Sequence, residues 1–294
     1  MFDYHKPTCL SDFRALLGEG PVWIAGENSF YFVDILNRSV HRYTLGTGEL
    51  KSWEMPNRAG FLLPVADGTF LAGLADGLHR FDPKTGYCAH ACTVEPEDEG
   101  NRLNDGCVDR QGRIWFGTMD DGETRDSGSL YRVEQHGGEL EVSHWDSGYT
   151  VSNGPALSPC GKLLYACDSP HQRVYVFDVD DKGSLTNKRV FVTFTKGYPD
   201  GVTVDSQGNI WCGTWGGAQV TRFRPDGTEM EPIPLPVSNV TKVAFGGEDL
   251  RTVFVTTARK GLSEDELTKE PQAGGVFAFR TDIPGQEQHS FRLK

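Results

Sequence analysis

Apolar residues recur along this chain in short runs, and each run follows a polar turn that usually ends in Gly or Asn. The runs contain four to six apolar or aromatic residues, as in the segments Gly112–Thr118 and Gly208–Thr214. Six copies are recognisable, the last weaker than the others, and their turn markers lie 40 to 49 residues apart. The markers are Asn28, Gly68, Gly112, Gly161, Gly208 and Leu250. This spacing indicates an internal repeat of supersecondary units.

A second pattern follows each copy, in which apolar and polar residues alternate. It is clear in Ser39–Tyr43 and in Arg173–Asp178. Alternation with a period of two is typical of a strand with one buried face. Each repeat therefore supplies at least two strands and has room for four.

Six such repeats predict an all-β fold, a six-bladed β-propeller with four-stranded antiparallel blades around a central channel, formed by one domain of residues 1–294. The alternative is a β-sandwich with accidental similarity between its strands. In a propeller both chain ends must complete one blade, because an open edge strand is a liability. The candidates for the closing strand are Cys9–Phe13 and the tail His289–Leu293, and we favour the former. The strongest helix signal is Ser263–Leu267, which has a capping-box pattern.

Composition agrees with short strands and turns, since 35 of the 294 residues are Gly and 16 are Pro. The formal charge of −12 disfavours binding to nucleic-acid phosphates and to anionic lipids, so we expect neither partner. No apolar run approaches the roughly 20 residues of a membrane-spanning helix, and the N-terminus lacks the features of a signal peptide. We therefore expect a cytoplasmic protein. A monomer or a weak homo-oligomer is a separate expectation.

The cysteines show no pattern of disulfides or zinc ligands. Their number, seven, is odd, and no paired CxxC segments occur. Free thiols in a reducing compartment are the expected state.

Four repeats place a polar residue and a glycine directly before the strand that should line the channel. The pairs are Glu19-Gly20, Asp105-Gly106, Asn153-Gly154 and Asp200-Gly201. Equal offsets in the blades would put these side chains at the same height, so that Glu19, Asn153 and Asp200 converge. Two carboxylates and an amide oxygen form a hard oxygen site for a divalent cation. Any single pair would favour an ordinary turn, but recurrence at matched offsets favours the metal site.

The stretch Arg102–Asp105 combines a guanidinium, an amide and a carboxylate at the predicted mouth of the channel. Arg102 could bind a carbonyl or hydroxyl oxygen, and Asn104 could pair with a sugar hydroxyl. A surface ion pair for Arg102 and turn formation by Asn104-Asp105 are equally compatible with the spacing. The polar loop Met119–Gly128 could be a lid over the pocket or an exposed connection.

The segments that carry these residues resemble the gluconolactonase and senescence-marker-protein (regucalcin) family of six-bladed propellers. The resemblance rests on GEGPVW from residue 18, NRLNDG from 101, SNGPALSP from 152, YPDGVTVD from 198 and TTARKGLSEDELTKEPQAGGVF from 256. These segments are specific together and span nearly the whole chain. They are most similar to the bacterial branch that opens aldonolactones such as pentonolactones and gluconolactone.

The resemblance implies one divalent metal ion held by Glu19, Asn153 and Asp200, and substrate contacts from Arg102 and Asn104. The chain departs from the family at one position, because family members that carry an acidic residue late in the lid use a Glu there to contact the sugar. The aligned position here is Gly122, flanked by Asp121 and Glu123, and we name Asp121 as the expected contact. Oxygen ligands favour Ca²⁺, Mg²⁺ or Mn²⁺, although an open three-ligand site also admits Zn²⁺ or Fe²⁺.

The chemistry expected from these residues is metal-assisted attack of water on a cyclic ester. Asp200 would position or deprotonate the water, and Asp105 is a second candidate base. One competing hypothesis is a calcium-dependent phosphotriesterase or arylesterase on the same scaffold, since fold does not fix function. Another is a non-catalytic calcium-binding propeller.

Overall fold

The chain forms a ring of six antiparallel sheets, each with four strands. A computed structural model describes residues 2–293. Strand β1 is Thr8–Cys9. The first blade consists of β2 (Gly18–Ile24), β3 (Ser29–Asp34), β4 (Ser39–Thr44) and β5 (Leu50–Glu54). The second consists of β6 (Ala59–Pro64), β7 (Phe70–Leu74), β8 (Gly77–Phe81) and β9 (Cys88–Cys92).

The later blades repeat this order along the chain. The third consists of β10 (Asn101–Val108), β11 (Ile114–Asp120), β12 (Gly128–His136) and β13 (Glu139–Tyr149). The fourth consists of β14 (Ser152–Leu157), β15 (Leu163–Asp168), β16 (Arg173–Val179) and β17 (Leu185–Thr193). The fifth consists of β18 (Tyr198–Val204), β19 (Ile210–Trp215), β20 (Gln219–Phe223) and β21 (Glu229–Pro234). The sixth contains β22 (Val240–Gly246), β23 (Thr252–Thr257) and β24 (Phe277–Arg280). The predicted six-bladed propeller is confirmed.

The N-terminal segment closes the ring. Strand β1 pairs with β24 as the fourth strand of the sixth blade, with Thr8 opposite Ala278 and Cys9 opposite Phe277. The closing strand is therefore N-terminal, as favoured, but it begins one residue earlier than expected and is only two residues long. Both chain ends thus contribute to one sheet, which leaves no blade incomplete.

The turn markers of the sequence repeat share one backbone property, a positive φ angle. The values are 46° for Asn28, 85° for Gly68, 78° for Gly112, 71° for Gly161, 86° for Gly208 and 54° for Leu250. Gly and Asn adopt this left-handed conformation more readily than other residues. The marker therefore recurs because each hairpin between the first and second strands of a blade needs a left-handed residue.

In two blades an aspartate and a tryptophan secure this hairpin. Asp109 Oδ1 accepts hydrogen bonds from two backbone N–H groups of the turn, and its Oδ2 accepts one from Trp115 Nε1 at 3.0 Å. Asp205 makes the same contacts, with Trp211 Nε1 at 3.0 Å. All four side chains are buried. The Asp-x-x-Gly-x-Ile-Trp pattern thus couples the turn to the core.

The hydrophobic core consists of layers between neighbouring blades. Tyr31 of β3 and Phe70 of β7 pack together between blades one and two, with ring centroids 4.7 Å apart. Phe30 and Phe254 stack at 4.3 Å between blades one and six. Since both faces of each sheet are covered, strands such as β3 are buried along their full length.

The C-terminal tail crosses the end of the channel. Gln286 Nε2 donates to the carbonyl oxygens of Leu157 and Val204 at 3.1 and 3.0 Å. Phe291 is completely buried, and its backbone bonds to Pro64 and Ala66 on the opposite side of the ring. The tail therefore ties distant blades together.

Helical structure is short. Helix α1 spans Glu264–Lys269, and Ser263 and Glu266 form the expected capping box. Within residues 2–293, no helix is both long enough and apolar enough to span a bilayer. The seven cysteines are free thiols, as predicted.

Candidate active site

A β-bulge interrupts the innermost strand of every blade at a corresponding position. The bulges lie between Glu19 and Val22, Ala59 and Phe61, Leu103 and Asp105, Asn153 and Ala156, Pro199 and Val202, and Val240 and Val243. A bulge bends the strand and changes the direction of the side chains beside it. The polar side chains at these positions can therefore leave the alternation of the strand and face the channel.

Five of the predicted site residues line one cavity of about 480 Å³. They are Glu19, Arg102, Asn104, Asn153 and Asp200. Each is less than 10% exposed. Much of the remaining wall is apolar, with contributions from Leu17, Ile35, Val151, Pro170, Tyr198 and Trp215. The cavity is therefore a small pocket in which a few polar groups converge on one side.

The carboxyl groups of Glu19 and Asp200 are buried close to each other and to Asp105, which raises the pKa of both. Burial, followed by the charge of Asp105, raises the pKa of Glu19 to about 7, although Lys242 partly offsets the shift. Burial and then the charge of Glu19 raise the pKa of Asp200 well above its usual range. A bound cation would relieve both effects, because it favours the charged form of each group.

A chain of hydrogen bonds joins the guanidinium to the amides. Arg102 Nη1 donates to Asn104 Oδ1 at 2.7 Å. Asn104 Nδ2 donates to Asn153 Oδ1 at 3.1 Å and to the Ser152 carbonyl at 2.7 Å. Asn153 Nδ2 donates to Ser169 Oγ at 2.8 Å, which directs Asn153 Oδ1 away from Ser169. These bonds fix the amide orientations.

The predicted ligands have the unused oxygen atoms that a divalent cation would require. Glu19 Oε1 is buried without a hydrogen-bond partner among residues 2–293, whereas Oε2 accepts from the Gly20 N–H at 2.6 Å. Asn153 Oδ1 retains a lone pair beyond the one used by Asn104. Within residues 2–293, no three His, Cys, Asp or Glu side chains form a metal-binding cluster. A site here would therefore depend on the amide oxygen of Asn153.

Asp105 lies beyond the bulge and not in this cavity. It lines a second, smaller cavity of about 120 Å³, which the tail segment 286–289 also borders. Its Oδ1 accepts from Lys242 Nζ at 2.5 Å and from the Gly106 N–H at 2.7 Å. Its Oδ2 accepts from the Gly154 N–H at 3.0 Å. Both carboxylate oxygens are thus engaged.

Asp121 is held at the outer side of Arg102. Its carboxylate accepts from Arg58 at 2.6 and 2.9 Å and lies 3.2 Å from Arg102 Nε. It does not line the 480 Å³ cavity, whereas the neighbouring Glu123 does and forms an ion pair with Lys260 across the mouth. The lid segment therefore presents Glu123, and not Asp121, to the cavity.

Sequence reasoning passed over three residues of this region, Lys242, Ser169 and Lys260. Lys242 lies in the bulge of the sixth blade. The sequence feature that could have identified it is its position in the repeat, which corresponds to the positions of the four polar-Gly pairs. It lacks a following glycine, which removed it from that pattern. Ser169 lies outside the recurring patterns, and Lys260 lies in the segment from residue 256 that carries part of the resemblance, where no spacing marks it as a cavity residue.

Comparison with known proteins places the chain in a family. Residues 17–259 match the model described as the SMP-30/Gluconolactonase/LRE-like region. The chain belongs to the SMP-30/gluconolactonase/LRE-like family. The matched region of this family contains every residue of the cavity except Gly261 and Lys260.

Two curated relatives in the family are similar over nearly their full length. The chain is 36% identical to the L-arabinolactonase of Azospirillum brasilense, covering 97% of this chain and 95% of the relative. It is 34% identical to the 6-deoxy-6-sulfogluconolactonase of Pseudomonas putida, covering 94% and 95%. A crystal structure of a calcium-binding protein, regucalcin, from Agrobacterium tumefaciens superposes with a TM-score of 0.93 at 29% identity, covering 99% of both chains.

Proposed function

We propose that this chain hydrolyses the ester bond of a sugar-acid lactone, an aldonolactone such as a pentonolactone or gluconolactone, to the open-chain sugar acid. The observation that carries the proposal is the 480 Å³ cavity, where carboxylate, amide and guanidinium groups from several blades converge. Its volume lies in the range of small-molecule sites, about 300–1,000 Å³. The two relatives named as lactonases support the assignment, since they align along almost the entire chain.

Glu19, Asn153 and Asp200 would hold one divalent metal ion. The unpartnered Glu19 Oε1 and the crowding of two carboxyl groups are the features that support a cation there. When bound, the ion acts as a Lewis acid on the carbonyl oxygen of the ester. Its identity among Ca²⁺, Mg²⁺, Mn²⁺, Zn²⁺ and Fe²⁺ is a question for metal add-back.

Arg102 and Asn104 would orient the lactone in complementary ways. The Nη2 nitrogen of Arg102 makes no hydrogen bond to a described residue and can donate to a carbonyl or hydroxyl oxygen. Both Nδ2 donors of Asn104 are used, so its remaining capacity is that of an acceptor at Oδ1. A sugar offers both kinds of partner, since each hydroxyl donates and accepts.

Asp200 would position the attacking water or accept its proton, because its carboxyl group lines the cavity beside Glu19. Asp105 is the second candidate base, although its oxygens are engaged by Lys242, Gly106 and Gly154. Asp121 is proposed to contribute through Arg102, which it contacts, and not through direct contact with the cavity.

A panel of aldono-1,4- and 1,5-lactones tests the proposal. Chelator-treated protein is supplied with each of the five metal ions, and acid release is followed at constant pH. We expect turnover of at least one lactone, restored by one or more metals, and much lower kcat/KM for phosphotriesters and aryl esters.

Asp200→Ala should abolish turnover and lower bound metal, whereas the exposed Asp226→Ala should change neither. Full activity and metal content in Asp200→Ala would contradict the assignment. Absence of turnover across the panel, with metal bound, would instead favour a non-catalytic calcium-binding propeller. That second candidate is favoured by one observation, the description of the Agrobacterium tumefaciens structure as a calcium-binding protein.

A further inference from the structure

Lys242 is a buried lysine at the centre of the propeller. Its side chain is 9% exposed, and its Nζ donates to the carboxylate of Asp105, whose side chain is 1% exposed. Burying an ion pair is costly unless its remaining hydrogen-bonding groups are satisfied. Asp105 meets this condition, because backbone N–H groups of Gly106 and Gly154 occupy its other acceptor positions.

The ion pair contacts the residue that follows each of two candidate metal ligands. Asp105 Oδ2 accepts from the N–H of Gly154, directly after Asn153. The stem of Lys242 packs against Gly201, directly after Asp200. A methyl group at Gly201 would lie only 2.5–2.7 Å from the Cβ, Cγ and Cδ atoms of Lys242. The pair therefore supports the backbone from which both ligands project.

The pair also sets the charge around the cavity. Glu19, Asp105 and Asp200 would together carry three negative charges, and each interacts electrostatically with at least one of the others. Lys242 compensates one of these charges through its contact with Asp105. The remaining charge is that of two carboxylates, which equals and opposes the charge of one divalent cation.

We propose that Lys242 and Asp105 form a charge-setting pair beneath the metal site. The pair holds Asn153 and Asp200 in place, and it limits the net negative charge around the cation to that of Glu19 and Asp200. This inference rests on the proposed metal site. Lys242 and Asp105 are positioning residues here, because they act through the candidate metal ligands and do not contact the cation. Both residues line the smaller cavity near the tail, and neither lines the 480 Å³ cavity.

Charge compensation predicts opposite effects for the two halves of the pair. Lys242→Met leaves the negative charge of Asp105 uncompensated, so cation affinity should rise by about tenfold or more. Asp105→Asn leaves the ammonium of Lys242 free to turn toward Glu19, with which it already interacts, and should weaken cation binding by about tenfold or more. The double variant restores the net charge, so its affinity should return to within about threefold of the original protein.

The experiment measures dissociation constants by isothermal titration calorimetry on the full-length metal-free chain. Calcium, manganese and zinc chlorides are the probes, and the ion that binds the original protein most tightly is used for the variants. Arg113→Met is the matched control, because it breaks another buried ion pair, with Asp109, outside the 480 Å³ cavity. It should lower the melting temperature without changing cation affinity.

The outcomes separate this inference from its alternatives. Opposed shifts that cancel in the double variant support it. Weaker binding in all three variants would mean a purely structural role and overturn it, as would unchanged affinities. Loss of kcat in Asp105→Asn with unchanged cation affinity would identify Asp105 as the base and also overturn it.

Calorimetry requires no turnover, so failure of the proposed lactonase activity is visible separately. Opposed shifts without hydrolysis of any lactone would leave the charge-setting pair in place and remove the proposed activity. Lactone hydrolysis by a protein that binds none of the three ions would support the proposed activity and overturn the charge-setting pair.

Discussion

At the scale of single residues, the cavity depends on buried side chains whose hydrogen-bonding groups are not all used within the protein. Arg102 is the clearest case among those that would meet the substrate, since it is 6% exposed and its Nη2 group makes no hydrogen bond within the described part of the chain. A hydrogen bond from a charged group contributes about 1.5–3 kcal/mol. The guanidinium therefore has the capacity to dominate recognition of a lactone oxygen.

Replacing Arg102 with Met should lower kcat/KM for the best lactone by about 10- to 100-fold, because a charged donor is lost. Metal affinity should stay within about twofold, since Arg102 is not a candidate ligand. Steady-state kinetics, resolved into kcat and KM, provide the measurement.

Arg58→Met is the control for that variant, because Arg58 binds Asp121 but does not line the cavity. It should retain most of the activity. Equal losses in the two variants would show that the arginines only support the lid.

Individual residues also mark the limit of what the sequence could specify. Asn104 and Asp105 are adjacent, yet the bulge beside them sends one toward the 480 Å³ cavity and the other toward the smaller one. Likewise, the local backbone of the lid presents Glu123 and turns Asp121 to Arg58. Such differences depend on the direction of one side chain, which hydrophobic periodicity does not encode.

At the scale of elements, the hairpin after each innermost strand explains why the repeat can be recognised in the amino-acid sequence. Its left-handed residue restricts the choice at one position mostly to Gly or Asn, and the following strand is buried on both faces. Leu250 adopts the same conformation without being either residue, which is why the sixth copy is weak. The bulges leave a weaker trace, because Glu, Asn, Asp and Lys all occupy them and Lys242 lacks the glycine that follows the others.

Gly208→Ala should destabilise the protein by about 1–2 kcal/mol, because alanine is forced into the left-handed conformation at φ 86°. The space itself is adequate, since the added methyl would meet Pro225 at 3.4 Å. Urea unfolding followed by tryptophan fluorescence measures the change.

Gly26→Ala provides the comparison for that variant. Gly26 is exposed, its φ lies outside the left-handed range, and nothing lies within 4 Å of the added methyl. Its unfolding free energy should change by less than about 0.5 kcal/mol. Equal effects at both glycines would contradict the conformational explanation.

At the scale of the whole molecule, two devices hold the ring together. Strand β1 completes the sixth blade, and the C-terminal tail crosses the opposite end of the channel from the candidate active site. Phe291 anchors this tail between blades two and three, where it is completely buried. The tail can therefore stabilise the ring without touching the 480 Å³ cavity.

Phe291→Ala should lower the free energy of unfolding by about 3–5 kcal/mol, because a large buried side chain leaves a void. Lactone turnover at temperatures well below unfolding should be unchanged. Urea unfolding and steady-state kinetics on the same preparations test both statements.

Leu293→Ala removes an apolar side chain that is 39% exposed, and should cost less than about 1 kcal/mol. A comparable loss from both variants would show that the tail lacks the proposed anchor.

The bulges of the innermost strands have a consequence for how such a molecule could evolve new specificity. Five blades place a polar side chain at this position, and in three of them it is a candidate metal ligand, Glu19, Asn153 or Asp200. Blade two is the exception, because a methyl group on Gly60 would lie 2.3 Å from the Asn104 carbonyl oxygen. Laboratory evolution that keeps the metal site should therefore accumulate its productive changes at the bulge of blade three, around Asn104, while Gly60 of blade two stays as a fixed spacer.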